Sequence, residues 1–256
     1  MSTHGFCAGT LVHTEQGLIP IQEIKVGDMV LSKPESNEGE IGYTPVVSTF
    51  QHNKQPLWLL QADKYYGRDI NNKIVKIVQL DKYENDTYNL LVTPNHPIWV
   101  VGIGILDEYN NVSNQYEPYS QPHWKRIDQL QQYEMIVNND GILFSIARVQ
   151  PLYQFKEANN KEALANIAWY QQNYHITSDM EDYDNYNFNW GWAINVLKYQ
   201  DADSAKGMRL IGKPWDDNSS FDPENGGDPY TATVYNFETE RYYTYFVQRS
   251  GIWVHQ

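Results

Sequence analysis

Strand-sized apolar stretches recur along the first 150 residues with too few residues between them for helices, and this spacing limits the possible folds more than any other feature. "TLVHT" (10–14), "GLIPI" (17–21), "DMVLS" (28–32) and "YTPVVSTF" (43–50) are alternating or β-branched. The words between them, "EQG", "KVGD" and "PESNEGE", are turn formers. Alternation continues in Ile74–Leu80, in "YNLLVTPNHPIWVV" (88–101) and in "GILFSIARVQPLY" (141–153), while "RIDQLQQYEMIV" (126–137) reads as a helical turn leading into a strand. Many short strands at this spacing predict a mainly β body without open βαβ units.

The pattern changes after about Lys156. "KEANNKEALANIAWYQQNY" (156–174) carries Ala, Leu, Glu and Lys at helical spacing and predicts a helix. From there to residue 231 there are 13 acids against 6 bases, a net of −7 out of −13 for the chain. The turn cluster "DDNSSFDPENGGDP" (216–229) closes this stretch, and strand pattern returns in "ATVYNFETERYYTYFVQRSGIWVHQ" (232–256). The expected organisation is a split β domain, residues 5–155 and 232–256, interrupted by an acidic, aromatic-rich and α-containing module at 156–231.

Charge and composition exclude several functions. A net charge of −13 without any basic stripe argues against nucleic acid as a partner. No apolar run approaches the length of a membrane-spanning helix, and the first residues lack the pattern of a signal peptide, so the chain reads as soluble. Its compartment is not readable. "DMEDYDNYNF" (179–188) pairs acids but lacks the glycine and terminal glutamate of a calcium loop, so a solvated acidic face is the expectation and no metal is assigned. "GIG" (102–104) lacks the rest of a dinucleotide fingerprint, and no cofactor is expected.

The chemistry centres on the single cysteine, Cys7 in "HGFCAGT". One Cys allows no internal disulfide, which leaves a buried small hydrophobe or a nucleophile. A thiol that cuts its own chain must attack the carbonyl of the residue before it, converting an amide to a thioester. That step needs a proton donor for the leaving nitrogen and a donor for the oxyanion. Thr93 and His96 in "TPNHP", three residues apart in a loop restrained by Pro94 and Pro97, can supply such groups.

Taken in order, "GTLVHTEQGLIPIQEIKVGDMVLS", "LLVTPNHPIWV", "WKRIDQLQQYEMIV" and "ATVYNFETERYYTYFVQRSGIWVHQ" resemble the sequence blocks of the hedgehog/intein (Hint) superfamily. They look closest to the pretoxin Hint domains of bacterial polymorphic toxins. The resemblance implies a twisted all-β horseshoe with pseudo-twofold symmetry, whose first and last strands bring both chain ends into one site, and whose substrate is its own flanking polypeptide. It matches Thr93 and His96 to the Thr and His that assist the first acyl shift, and His255 to the penultimate His that assists C-terminal cleavage. Autocatalytic cleavage at the C-terminal end would release a toxin effector following Gln256. The acidic module would then offer a docking surface for an effector or an immunity partner.

Three positions depart from the family pattern. Aligning on "GT" puts Gly5 where the family has its nucleophile and Cys7 two residues later, so Cys7 is either the thiol of a shortened entry loop or a packed side chain. Gln256 replaces the terminal Asn and must cyclise through a six-membered ring, with more rotamer freedom to lose. Tyr243 stands where related toxin domains commonly have His, which leaves proton transfer more dependent on His255. The alternative to self-cleavage is a degenerate Hint fold kept as a structural or interaction module.

Overall fold

The computed structural model describes residues 3–65, 68–69, 87–106, 112–154, 164–167, 190–195, 208–214 and 229–256. Within them the chain is mainly β. Strands β1 (Phe6–Cys7), β2 (Leu11–Thr14), β3 (Gly17–Pro20), β4 (Met29–Ser32), β5 (Gly42–Pro56), β6 (Trp58–Lys64), β7 (Arg68–Asp69), β8 (Thr87–Val92) and β9 (Pro97–Leu106) lead into β10 (Val112–Arg126), β11 (Glu134–Val137) and β12 (Leu143–Gln154). Three strands follow at β13 (Leu164–Ile167), β14 (Trp190–Asn195) and β15 (Met208–Pro214), and three close the chain at β16 (Thr231–Thr239), β17 (Thr244–Val247) and β18 (Ile252–His255). The only helical turns among the described residues are 3-10 turns at Ile21–Glu23 and Ile127–Gln129, the second of them inside the stretch read as a helical turn.

Two compact units result, Met1–Gln150 with Thr231–Gln256, and Pro151–Tyr230. In the second unit an antiparallel ladder runs from Leu152 opposite Ile167, through Leu164 opposite Asn195, to Trp190 opposite Pro214. At Leu164–Ile167 this corrects the helix expected over 156–174, because those four residues form a strand. Helix propensity is a weak preference of a few tenths of a kcal/mol per residue, and the neighbouring β14, "WGWAIN", offers a full antiparallel partner that overrides it. The rest of that segment, the acidic run at 179–188, most of the turn cluster at 216–229 and the alternation at Ile74–Leu80 lie outside the described residues.

The first unit gathers the chain ends. β1 lies antiparallel to β16, with Phe6 opposite Tyr235 and Cys7 opposite Val234, and also touches the end of β8, with Phe6 opposite Val92. β18 pairs with β17 and, through Val254 opposite Ile98, with the start of β9. Residues 93–96 join β8 to β9, so the loop "TPNH" connects the strand beside the N-terminal strand to the strand beside the C-terminal one. This register alone places Thr93 and His96 between the two ends.

A core of Phe6, Val12, Leu60, Val92, Phe144 and Tyr245, among others, supports this junction, all of them 1% exposed or less. Each such side chain contributes about 1.5–3 kcal/mol of burial. A second cluster of Trp99, Phe246 and Trp253 backs β18, with Trp124 packed against it. All four residues of β17 are buried, and Ile252, Trp253 and Val254 of β18 likewise, so the last two strands are interior ones. Strands covered on both faces read as continuous apolar runs, as "YFV" and "IWV" do.

Candidate functional site

The two prolines of "TPNHP" set the geometry of the residues that matter. Each disfavours the helical region for the residue before it, and those residues are Thr93 and His96. Pro97 opens β9, where a strand tolerates a missing N–H donor. The His96 N–H closes the turn on the Thr93 carbonyl at 3.2 Å, and the 3-10 turn after β10 clamps it from outside, Ile127 N–H donating to the His96 carbonyl (3.0 Å) and Asp128 N–H to that of Pro94 (2.8 Å).

Thr93 holds one particular peptide unit. Its hydroxyl accepts a hydrogen bond from the Gly5 N–H at 3.0 Å, and its own N–H donates to the Gly5 carbonyl at 3.0 Å. Gly5 packs so close to β16 that a Cβ there would lie 2.7 Å from the Tyr235 carbonyl oxygen. The amide under control is therefore His4–Gly5, and its downstream residue has no side chain. On the carbonyl side, the Asn236 Nδ2 donates to the His4 oxygen at 3.4 Å. Asn236 is oriented for this because its Oδ1 accepts from the Tyr245 hydroxyl (2.7 Å) and the Phe237 N–H (2.9 Å), which forces its NH2 group toward His4. Burial pushes the Tyr245 phenol well above its ordinary value, so it remains a donor.

His96 is fully buried between the rings of His4, 4.8 Å away and edge-on, and Phe6, 4.1 Å away and tilted. Desolvation holds its imidazole well below the ordinary histidine value, with the nearby His4 and His255 acting in the same direction. The His255 backbone opposes this electrostatically, yet neither ring nitrogen of His96 reaches hydrogen-bond geometry among the described residues. Burial therefore keeps the His96 imidazole neutral and opposes its taking up a proton.

The C-terminal end enters the same space. The Gln256 backbone acts as acceptor toward the His4 ring, whose basicity is lowered mainly by burial and further by His255 and His52. His255 Nδ1 lies 2.7 Å from the Gln256 backbone oxygen, which in a chain continuing past Gln256 is the carbonyl oxygen of the next peptide bond. The Gln256 side chain is fixed as well: its Oε1 accepts from the Thr239 N–H at 2.6 Å, while the Thr239 hydroxyl, 3.3 Å from Oε1, donates its proton to the Arg241 carbonyl at 2.7 Å. An N–H can only meet an acceptor, so Oε1 and Nε2 are unambiguous here. The Gln256 N–H donates to the carbonyl of Tyr243, a residue with φ 53° whose side chain is 55% exposed.

Of the expected site residues, Thr93, His96, His255 and Gln256 come together around the joined ends. Cys7 lies in β1 opposite Val234, fully buried, with its carbonyl accepting from the Thr10 N–H at 3.2 Å. The thiol thus belongs to the residue two positions after the amide that Thr93 holds. Sequence reasoning missed Asn236, Tyr245 and Thr239, although a polar Asn236 within the apolar run of β16 is a usable signal. It also missed His4 and Glu35, which sit in a terminal segment and a turn cluster and offer no pattern. Among the described residues no group of three or more His, Cys, Asp or Glu side chains is placed to hold a metal ion.

No protein-family model matches the sequence, and no curated protein does. Among solved structures the chain is similar to a bacterial intein-like domain from Clostridium thermocellum, at 14% identity over the whole of both chains with a TM-score of 0.46. It is similar to the gp41-1 intein at 12% identity, again over both whole chains, with a TM-score of 0.43. A DnaB intein from Synechocystis sp. PCC 6803 follows at 9% identity, over 99% of this chain and 98% of that one, with a TM-score of 0.44. At such scores these likenesses bear no weight for the chemistry, which stands on the geometry of the joined ends.

Proposed function

We propose that this chain is a Hint-type autoprocessing domain that breaks the peptide bond following Gln256, with its own polypeptide as the substrate. The observation that carries this reading is the preparation of the last residue: its carboxamide is clamped by Thr239 while its backbone carbonyl faces His255 Nδ1 at 2.7 Å. In the reaction, Gln256 Nε2 attacks the Gln256 carbonyl carbon and a six-membered imide forms as the bond to the next residue breaks. Nε2 gives up one proton and the departing amine gains one. His255 stabilises the charge growing on the carbonyl oxygen, and the Thr239 N–H stabilises the charge left on Oε1. Holding both groups of one residue removes much of the rotamer freedom that a glutamine would otherwise lose on cyclising.

The N-terminal end meets a different demand. Thr93, Asn236 and His96 surround the His4–Gly5 amide, but Gly5 offers no nucleophile, and Cys7 sits in the core two residues on. This favours a second reading for that end, in which the fold keeps the N-terminal site for its shape and only the C-terminal bond is cut. In the setting suggested by the pretoxin-like sequence blocks, the released segment is a toxin effector.

The test is a fusion carrying one folded reporter before Ser2 and another after Gln256, followed by gel and intact mass, beside Cys7→Ala, His255→Ala and Gln256→Ala versions. Release of the C-terminal reporter, lost in Gln256→Ala and slowed in His255→Ala, is expected; equal release from Gln256→Ala refutes the reading. Thiol-accelerated release of the N-terminal reporter, absent in Cys7→Ala, assigns Cys7 as a working nucleophile and overturns the one-ended version.

A further inference from the structure

The histidine at the C-terminal site has a second partner from a distant part of the chain. Glu35 lies in the loop between β4 and β5, and its Oε1 is 3.0 Å from His255 Nε2. The Glu35 backbone is itself held, because its carbonyl accepts from the Trp124 indole N–H at 3.2 Å. The Trp124 ring also packs edge-on against the His255 imidazole, with centroids 5.2 Å apart, and against Trp253 at 4.9 Å. One tryptophan thus fixes both members of the pair. Lys33 extends this frame: its ammonium lies 5.1 Å over the Trp253 ring and it bonds Asn37 of the same loop.

The chemistry of the two contacts decides the state of the ring. Nε2 faces a carboxylate and Nδ1 faces a carbonyl oxygen, and both of these groups are acceptors only. A neutral imidazole carries one N–H and would leave one of the contacts as lone pair against lone pair. Only the doubly protonated ring satisfies both. Two further histidines close to His255, His4 and His96, are held toward the neutral form by burial.

From this arrangement the geometry points to Glu35 as the positioning residue of the C-terminal reaction: it holds His255 as an imidazolium aimed at the Gln256 carbonyl, so that Nδ1–H stabilises the oxygen and serves as the proton source for the departing amine. This rests on the cleavage proposed above and adds a residue to it. Glu35 touches no reacting atom. It acts by keeping the second ring nitrogen protonated and the ring in one orientation, the task that a carboxylate performs behind the histidine of a nucleophilic triad. With Glu35 half exposed and His255 22% exposed, the pair sits at the rim, where substitution leaves the core intact.

The test uses the full chain with a folded reporter after Gln256, as wild type, Glu35→Ala and Glu35→Gln, with two readouts. Release of the reporter is timed, and the ring nitrogens of His255 are observed by 15N NMR at neutral pH. Release is expected to slow roughly 10- to 100-fold in Glu35→Ala, at or below the low end of the roughly 100- to 10,000-fold that a positioned acid or base itself contributes, because Glu35 acts only through His255. It should recover in part in Glu35→Gln, whose amide oxygen still accepts from Nε2–H but carries no charge. The nitrogen signature should change from two protonated nitrogens in the wild type to one in Glu35→Ala. Unchanged His255 nitrogens in Glu35→Ala, or unchanged release beside an active wild type, overturn the assignment. Absence of release in every version, with the nitrogen change present, supports Glu35 as the partner of His255 and overturns the cleavage reading instead.

Discussion

Replacing Gly5 by alanine tests whether the N-terminal strand is as close to β16 as the structure requires. The new Cβ would meet the Tyr235 carbonyl oxygen at 2.7 Å, its carbon at 3.1 Å and Val234 Cγ2 at 3.2 Å. Two of these are backbone atoms of a strand paired along its length with β5, so the neighbour cannot turn aside as a flexible side chain would. Gly5 does not adopt a positive φ, and the cost is therefore steric rather than conformational. Overpacking of this kind costs about 1–3 kcal/mol. If β1 withdraws to relieve it, the two hydrogen bonds with Thr93 stretch, at about 1 kcal/mol each. The stiffer unfolded chain returns about 0.4–1 kcal/mol. By either route the net is a loss of about 1–2 kcal/mol, or a Tm lower by roughly 2–8 °C at the 2–4 °C per kcal/mol usual for this size. Urea and thermal unfolding of Gly5→Ala beside wild type measure it directly. A Tm within about 1 °C of wild type would show that position 5 has room for a side chain, and the argument that no nucleophile fits there would fail.

Acid should destabilise the fold through histidines that it keeps neutral. His96, His4 and His13 all have folded values below the ordinary 6.5, with burial the main cause. As pH falls through 6.5 the unfolded chain binds protons that the folded chain refuses, so stability present above 6.5 is lost progressively below it. Each fully shifted histidine adds a slope of up to about 1.4 kcal/mol per pH unit. Urea midpoints between pH 7.5 and 5 should fall, and His96→Leu should flatten the curve; an equal slope in that variant contradicts the burial argument. Removing the hydroxyl that orients Asn236, by Tyr245→Phe, should cost about 0.5–1.5 kcal/mol and leave Asn236 Oδ1 with the Phe237 N–H alone. Faster exchange of the Gly5 amide in that variant would show that the pair supports the His4–Gly5 unit; unchanged exchange would separate Asn236 from it.

The strands were legible because burial on one face or two leaves a period that survives in the sequence, as in "TLVHT" and "IWV". The junction of the ends was legible only through a resemblance, since nothing local in "TPNHP" says which strands flank it. Pairing made the difference: Val92 meets Phe6 and Ile98 meets Val254, contacts between residues far apart in the chain. The stretch around Leu164 misled for the opposite reason, because Ala, Leu and Glu favour a helix locally while an antiparallel partner decides otherwise. Glu35 was illegible in principle. It is one of three acids in a turn cluster, and only the placement of Trp124 and His255 distinguishes it from Glu38 and Glu40.

The most direct test of the central claim is the intact mass of the domain at the earliest times after a C-terminal fusion begins to separate. Cyclisation of Gln256 leaves an imide, so the first released domain should be one water lighter than the same chain ending in a free acid, and Gln256→Ala should release nothing. A first product already at the mass of the free acid would mean that water, and not the Gln256 carboxamide, attacks the bond, and would contradict the account.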